Sequence, residues 1–335
     1  MVIMESISFG RYSRDKANAV IFAVCCLWVL LLLISPGCGR EKVRIGILNH
    51  AVMAEGSITG FKDGMAGAGY KEPQNIEYFY QGVVSISELE KAARELLNQK
   101  VDLILTLTMP ATVAAQKVVK DGRTPIVFAP NSDPVGAGLV ASLERPGGNT
   151  TGVSFWLQEG KRLEWLLKVQ PDIQRVWVPY MVWDKSPRVA LDKLKQTAKE
   201  LGLFIVEHPL LTREELLNSP QAVDQSMDAI FLPADALVCS NAQIFVKRAD
   251  ELGLPVSAPN LYGVKKGALI GYGFTQYQCG RQGARLAAMI LEGEDPGELP
   301  VEMSEIFLMI NLTKARELKI SLPKHIVKQA DIVVR

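Results

Sequence analysis

Beyond residue 42 the hydrophobic positions follow two alternating rhythms. VRIGIL (43–48), IEYFY (76–80), VDLILTL (101–107) and PIVFA (125–129) are short apolar or aromatic runs. Runs of that length, without polar alternation, predict strands covered on both faces. Between them the apolar residues recur every three to four positions. The stretch 54–69 puts Ile58, Phe61 and Met65 on one helical face, and 85–100 does the same with Ile86, Leu89, Ala93, Leu96 and Leu97. Ser85 and Glu88 have capping-box spacing, and Pro110 suits the first turn of a further helix. The second half repeats the plan. Helices are predicted over 159–169, 187–201, 236–252 and 276–292. Strands are predicted over 175–180, 203–207, 228–233, near Pro255-Val256, over 268–273 and over 305–312, before a short closing helix. Strands alternating with helices predict an α/β fold of two Rossmann-like lobes with parallel sheets, with a ligand cleft between the lobes.

The first 37 residues break this rhythm. Arg11, Arg14 and Lys16 precede an uninterrupted apolar run from Ala19 to Ile34, which ends at Ser35-Pro36-Gly37-Cys38. A positive region, an apolar stretch and small residues at its end predict a secretory signal over 1–37. The run is shorter than the ~20 residues of a comfortable bilayer span, although an uncleaved anchor is the other reading. Cys38, after Gly37, resembles the acylated cysteine of a bacterial lipoprotein, but Ser35 and Pro36 depart from that pattern. The competing reading is an ordinary cleaved signal. The protein is thus expected outside the cytoplasm, in the periplasm or on the outer face of the membrane, with membrane contact through the N-terminus only.

Composition narrows the class. Apolar residues make up 48% of the 335 and charged residues 22%, which excludes a disordered, collagenous or coiled-coil chain. Lys and Arg total 37 against 36 Asp and Glu, so nothing in the balance suggests a nucleic-acid partner. Three histidines and five cysteines give little material for a metal site or a disulfide scaffold. Cys239 and Cys279 read either as one bridge or as two buried thiols. No glycine-rich dinucleotide fingerprint follows the first strand, and neither a phosphate loop nor a GxSxG elbow is present. No cofactor or metal is implied.

The unusual residues cluster after the predicted strands: Asn49-His50, Thr108-Met109-Pro110, Asn131 to Pro134, Trp183-Asp184, Ala234-Asp235 and Gly271 to Phe274. Open α/β sheets bind ligands outside those strand ends. The segments DPVGAGLV (133–140) and RPGGNTTGVS (145–154) resemble the ABC transporter substrate-binding proteins of the tryptophan/tyrosine type, and the resemblance extends over nearly all of 43–335. GFKDGMAGAGY (60–70), VDLILTLTMPAT (101–112), DAIFLPADALV (228–238) and the block 267–302 keep that family's order and spacing. PYMVWDKSP (179–187) departs from it, keeping Tyr180 but carrying Met181-Val182-Trp183-Asp184 where the family usually has Asn-Pro-x-Glu.

The resemblance implies a type I periplasmic binding protein. Lobe one would span 43–155 plus about 275–303, and lobe two 156–274 plus about 304–335. Such a protein captures a small solute, such as an amino acid, by hinge closure and hands it to ABC permease subunits, without catalysis. Thr108 and Ser132 would offer hydroxyls, with Asn49 and His50 in the first strand-end loop. Asp235, or else Asp133, would meet an ammonium group, while Trp183, Tyr272 and Phe274 would stack on an apolar side chain. Asp235 reads equally as a helix cap and Asp133 as a turn organiser. The other functional readings are a sensing domain docked on a membrane receptor and an exported hydrolase, the latter requiring a base beside a nucleophile.

Overall fold

The computed structural model describes residues 42–335 apart from Asp121. The expected signal and Cys38 lie outside the described residues. Two sheets account for the strands. The first contains β1 (Val43–Asn49), β2 (Ile76–Tyr80), β3 (Leu103–Leu107), β4 (Ile126–Asn131) and β5 (Thr150–Ser154). The second contains β6 (Arg175–Met181), β7 (Phe204–Leu210), β8 (Ala229–Phe231), β9 (Val256–Asn260) and β10 (Ile270–Phe274). The two-residue strand β11 (Glu302–Met303) returns to the first sheet, and β12 (Phe307–Asn311) and β13 (Ile332–Val334) complete the second. The spatial orders are β11-β5-β4-β3-β1-β2 and β13-β12-β10-β9-β8-β6-β7. Every pairing is parallel except β10 with β12, which is antiparallel.

Helices cover both faces, as a parallel sheet requires. On the first sheet these are α1 (Glu55–Gly67), α2 (Leu89–Asn98) and α3 (Met109–Val118). The second sheet carries α4 (Glu159–Val169), α5 (Lys185–Leu201), α6 (Arg213–Asn218), α7 (Ala236–Ser240), α8 (Ala242–Leu252) and α9 (Leu261–Lys265). The helix α10 (Gln276–Leu291) crosses back to pack on α1 and β4, and α11 (Leu312–Glu317) and α12 (Lys324–Gln329) follow β12. The expected capping box forms, the Glu88 carboxylate accepting the Ser85 N–H at 3.2 Å. At the α1–α10 seam the backbones nearly touch. A Cβ on Gly60 would strike the Tyr277 carbonyl, and one on Gly280 the Ser57 carbonyl. Only glycine permits that approach.

Each half has its own core. Ile45, Phe61, Leu103 and Leu105 are fully buried in the first, as are Val176, Phe231 and Ile270 in the second. The chain passes between the halves three times: at 155–158, at Thr275 and at 304–306. The Ser304 N–H donates to the Ser154 carbonyl at 2.7 Å, joining the first crossing to the third.

Some elements differ from expectation. The helix expected over 236–252 is broken at Asn241, whose side chain donates to the Leu237 carbonyl at 2.8 Å and whose backbone leaves the helical region. The strand β5 was hidden in a glycine-rich polar segment. Its Thr150 and Thr151 are buried because Gln116 donates to the first hydroxyl at 3.0 Å and the second donates to the Leu299 carbonyl at 2.8 Å. Cys239 and Cys279 are separate buried thiols, the second of the two sequence readings.

Candidate functional site

The carboxyl ends of both sheets face one cavity of about 530 Å³. From the first sheet's side it is lined by Met53 and Ala54 after β1, Thr108 to Pro110 after β3, Pro130 to Ser132 around the end of β4, and Phe155 after β5. From the second come Asp184 after β6, Ala234 to Ala236 and Cys239 after β8, Pro259 and Asn260 at the end of β9, and Phe274 at the end of β10. The cavity walls are largely apolar. Phe155 and Phe274, one from each side, pack with ring centroids 4.3 Å apart. The halves are also bonded across the cavity, the Met53 N–H donating to Ser240 Oγ at 3.3 Å and the Asn260 amide to Met53 Sδ at 3.7 Å.

Of the nine sequence candidates, Thr108, Ser132, Asp235 and Phe274 meet in this cavity. The expected convergence of strand-end residues from six loops is therefore narrower than proposed. Asn49 is spent locally, its Oδ1 accepting the Ala51 N–H at 3.0 Å and its Nδ2 donating to Tyr80 at 3.3 Å. Asp133 organises its own turn, accepting the Gly136 N–H at 2.9 Å, and lines an outer groove with Arg188. Trp183 is 42% exposed and lines outer grooves, one of them shared with His50. It is the neighbouring Asp184 that reaches the cavity. Tyr272 lines a smaller adjoining pocket of about 210 Å³, behind Phe155 and Phe274. That pocket also holds the buried pair Glu159 and Arg162, 3.6 Å apart, whose burial raises the carboxyl and lowers the guanidinium to about 10.

Asp235 is a cap. Its Oδ1 accepts the Leu237 and Val238 N–H groups at 3.0 Å each, and its Oδ2 accepts the Met181 N–H at 2.8 Å. Burial pushes this carboxyl above its ordinary range, while the three N–H groups pull the other way. The ammonium-partner reading thus meets a carboxylate already holding α7 and β6.

Thr108 is different. Its φ of 87° and ψ of 158° lie in a region that β-branched residues avoid, at a cost of order 1–3 kcal/mol. Its hydroxyl is 2.7 Å from Nδ1 of the buried His50. Burial lowers the His50 ring to about 4, so it is neutral near pH 7, and its Nε2 has no hydrogen-bond partner. Asn131, Phe155 and Asn260 were not among the nine. Asn131 stood in a strand-end loop that was singled out, but β5 was unread and β9 was expected only as a stub near Pro255-Val256. Phe155 and Asn260 therefore had no strand end to mark them.

Comparison with known proteins gives a consistent picture. The family model described as ABC transporter substrate binding protein matches residues 44–334. A tyrosine-binding protein of Clostridioides difficile (strain R20291) is 30% identical over 274 residues, spanning 81% of this chain and 79% of the relative. An ABC domain from Streptococcus pneumoniae solved in complex with L-Trp is 25% identical, with a TM-score of 0.81 over 88% of this chain and 100% of that one. The ligand-free, open structure of a substrate binding protein with adhesive properties from Clostridium difficile is 29% identical. Its TM-score is 0.66, over 88% of this chain and 99% of that one.

Proposed function

We propose a function from one premise: the chain belongs to the ABC transporter substrate binding protein family. It captures an aromatic α-amino acid in the cavity between the two sheets and delivers it to an ABC permease from outside the cytoplasm. The observation that carries this reading is that Thr108 and Asp235, from the carboxyl ends of different sheets, line the same cavity. The apolar walls suit an aromatic side chain, and the relatives named for tyrosine and solved with L-Trp point to the same class.

The lobes are 43–155 plus about 275–303 and 156–274 plus about 304–335, hinged at the three crossings. A ligand that touches both lobes only when they are closed shifts the equilibrium toward closure. The TM-score is higher to the L-Trp complex than to the open relative, although the identity is lower, which supports reading the present arrangement as closed. So do the bonds from Met53 to Ser240 and Asn260. Residues 1–37 direct export, and acylation of Cys38 anchors the product. Among the described residues no helix is long and apolar enough to cross a membrane.

Binding without catalysis also fits the one histidine near the cavity. A general base works best with a pKa near the operating pH, and the His50 ring is held at about 4. A thermal-shift screen of the purified protein against the twenty amino acids tests the reading. Ligand at about 100 times its Kd adds about 2.7 kcal/mol, which is a rise of several degrees for a protein of this size. L-tyrosine or L-tryptophan should give that rise. A flat response to every amino acid would contradict the reading.

A further inference from the structure

Among the described side chains lining the cavity, one buried polar atom has no hydrogen-bond partner: Oδ1 of Asn131. The residue is 2% exposed, at the carboxyl end of β4. The orientation of its amide follows from the bonds behind it. Thr112 Oγ1 donates to the Thr108 carbonyl at 3.1 Å, and a hydroxyl has a single hydrogen to give. Thr112 must then accept from its two other neighbours, Thr106 Oγ1 at 2.7 Å and Asn131 Nδ2 at 3.0 Å. Rotating the amide would draw that hydrogen to Oδ1 and leave the Thr108 carbonyl with the Thr112 N–H alone. The orientation that keeps all three bonds of Thr112 turns Nδ2 inward and leaves Oδ1 as an unspent acceptor on a residue of the cavity wall.

The chemistry of an acceptor and of an amino-acid ligand indicates which donor this oxygen serves. Two carboxylates, Asp184 and Asp235, line the cavity, and among the described lining residues there is no Lys, Arg or His. An amide oxygen can only accept, and the donor that every α-amino acid carries is its ammonium group. The carboxylate of Asp235 already accepts three backbone N–H groups, and Oδ1 of Asn260 accepts the Gly263 N–H at 3.0 Å. We propose that Asn131 Oδ1 accepts a hydrogen bond from the ammonium group of the bound amino acid and so sets the preference for amine-bearing solutes. This rests on the aromatic amino acid reading above and assigns to Asn131 the role that the sequence offered to Asp235.

The test pairs each ligand with its analogue lacking the amine. The full chain is titrated calorimetrically with L-tryptophan and 3-(indol-3-yl)propanoate, and with L-tyrosine and 3-(4-hydroxyphenyl)propanoate. Wild type, Asn131→Leu and Asn131→Asp are compared, with ligand-free thermal unfolding as the folding control. Hydrogen bonds to charged groups are strong enough that Asn131→Leu should weaken the amine-bearing member of a pair by about ten- to hundredfold. The analogue should change much less, so the wild-type preference collapses. Asn131→Asp keeps an acceptor and should retain the preference. Equal weakening of both members would mark Asn131 as merely structural and overturn the proposal, as would an unchanged preference in Asn131→Leu. If wild type binds none of the four, the aromatic amino acid reading itself fails and this inference falls with it.

Discussion

The first-sheet wall of the cavity offers Thr108, Asn131 and Ser132, and the second-sheet wall Asp184, Asp235 and Asn260. In the second wall the acceptor oxygens of Asp235 and Asn260 are spent inward, while the Asn260 amide N–H crosses to Met53. Asp235 ties α7 to β6, and Asn260 caps α9. The first wall keeps chemistry in reserve: a threonine in a strained conformation backed by a buried neutral histidine, and an amide oxygen with no partner. Capped helix ends make a firm surface, whereas strain and unpaired acceptors are kept where a ligand completes them. A closing cleft needs both, one wall as the anvil and one as the reader.

Substitutions at equivalent depth in the two walls should therefore fail differently. The largest loss of stability is expected for Asp235→Ala. It uncaps α7 and strands the Met181 N–H, with a cost of about 3 kcal/mol in urea unfolding. Asn131→Leu, by contrast, should unfold close to wild type and lose affinity instead. If Asp235→Ala is as stable as wild type, the second wall is not structural.

Asn260→Ala should cost about 1 kcal/mol for its lost cap and leave the rank order of ligands intact. A change of rank order would make Asn260 a reader and remove the contrast.

The smallest effect is in pH. The His50 ring is held at about 4 when folded against 6.5 as its ordinary value, so the unfolded chain takes up the proton first as the pH falls. The stability tied to this group is complete above pH 6.5 and is lost as the pH approaches 4. Between pH 8 and pH 6 the loss is about 1 kcal/mol. Asn at position 50 (His50→Asn) should remove that part of the slope in parallel urea titrations. An unchanged slope would mean that His50 is not the group responsible.

The same contrast governs what could be read from the chain. Strands covered on both faces, such as Leu103–Leu107, announce themselves because four of the five residues are apolar and only Thr106 is polar. The strand Thr150–Ser154 is just as buried, but its threonines are satisfied by Gln116 and by the Leu299 carbonyl, a partner 148 residues from Thr151, so no local pattern marks it. Thr108, Ser132, Asp235 and Phe274 were legible as cavity-wall positions because they stand at the ends of clear strands. Position alone cannot tell a cap from a reader. Asp235 carries the formal charge and is spent, whereas Asn131 looks ordinary and is not. That difference depends on the bonds that gather around Thr112, which only the fold brings together.

The most direct measurement is a crystal structure of the protein grown with saturating L-tryptophan or L-tyrosine. Ligand density is expected between the two walls, touching residues of both sheets, with the amine on Asn131 and the ring against Phe274. Density confined to one sheet or to an outer groove, or an empty cavity despite saturating ligand, would contradict capture between the sheets.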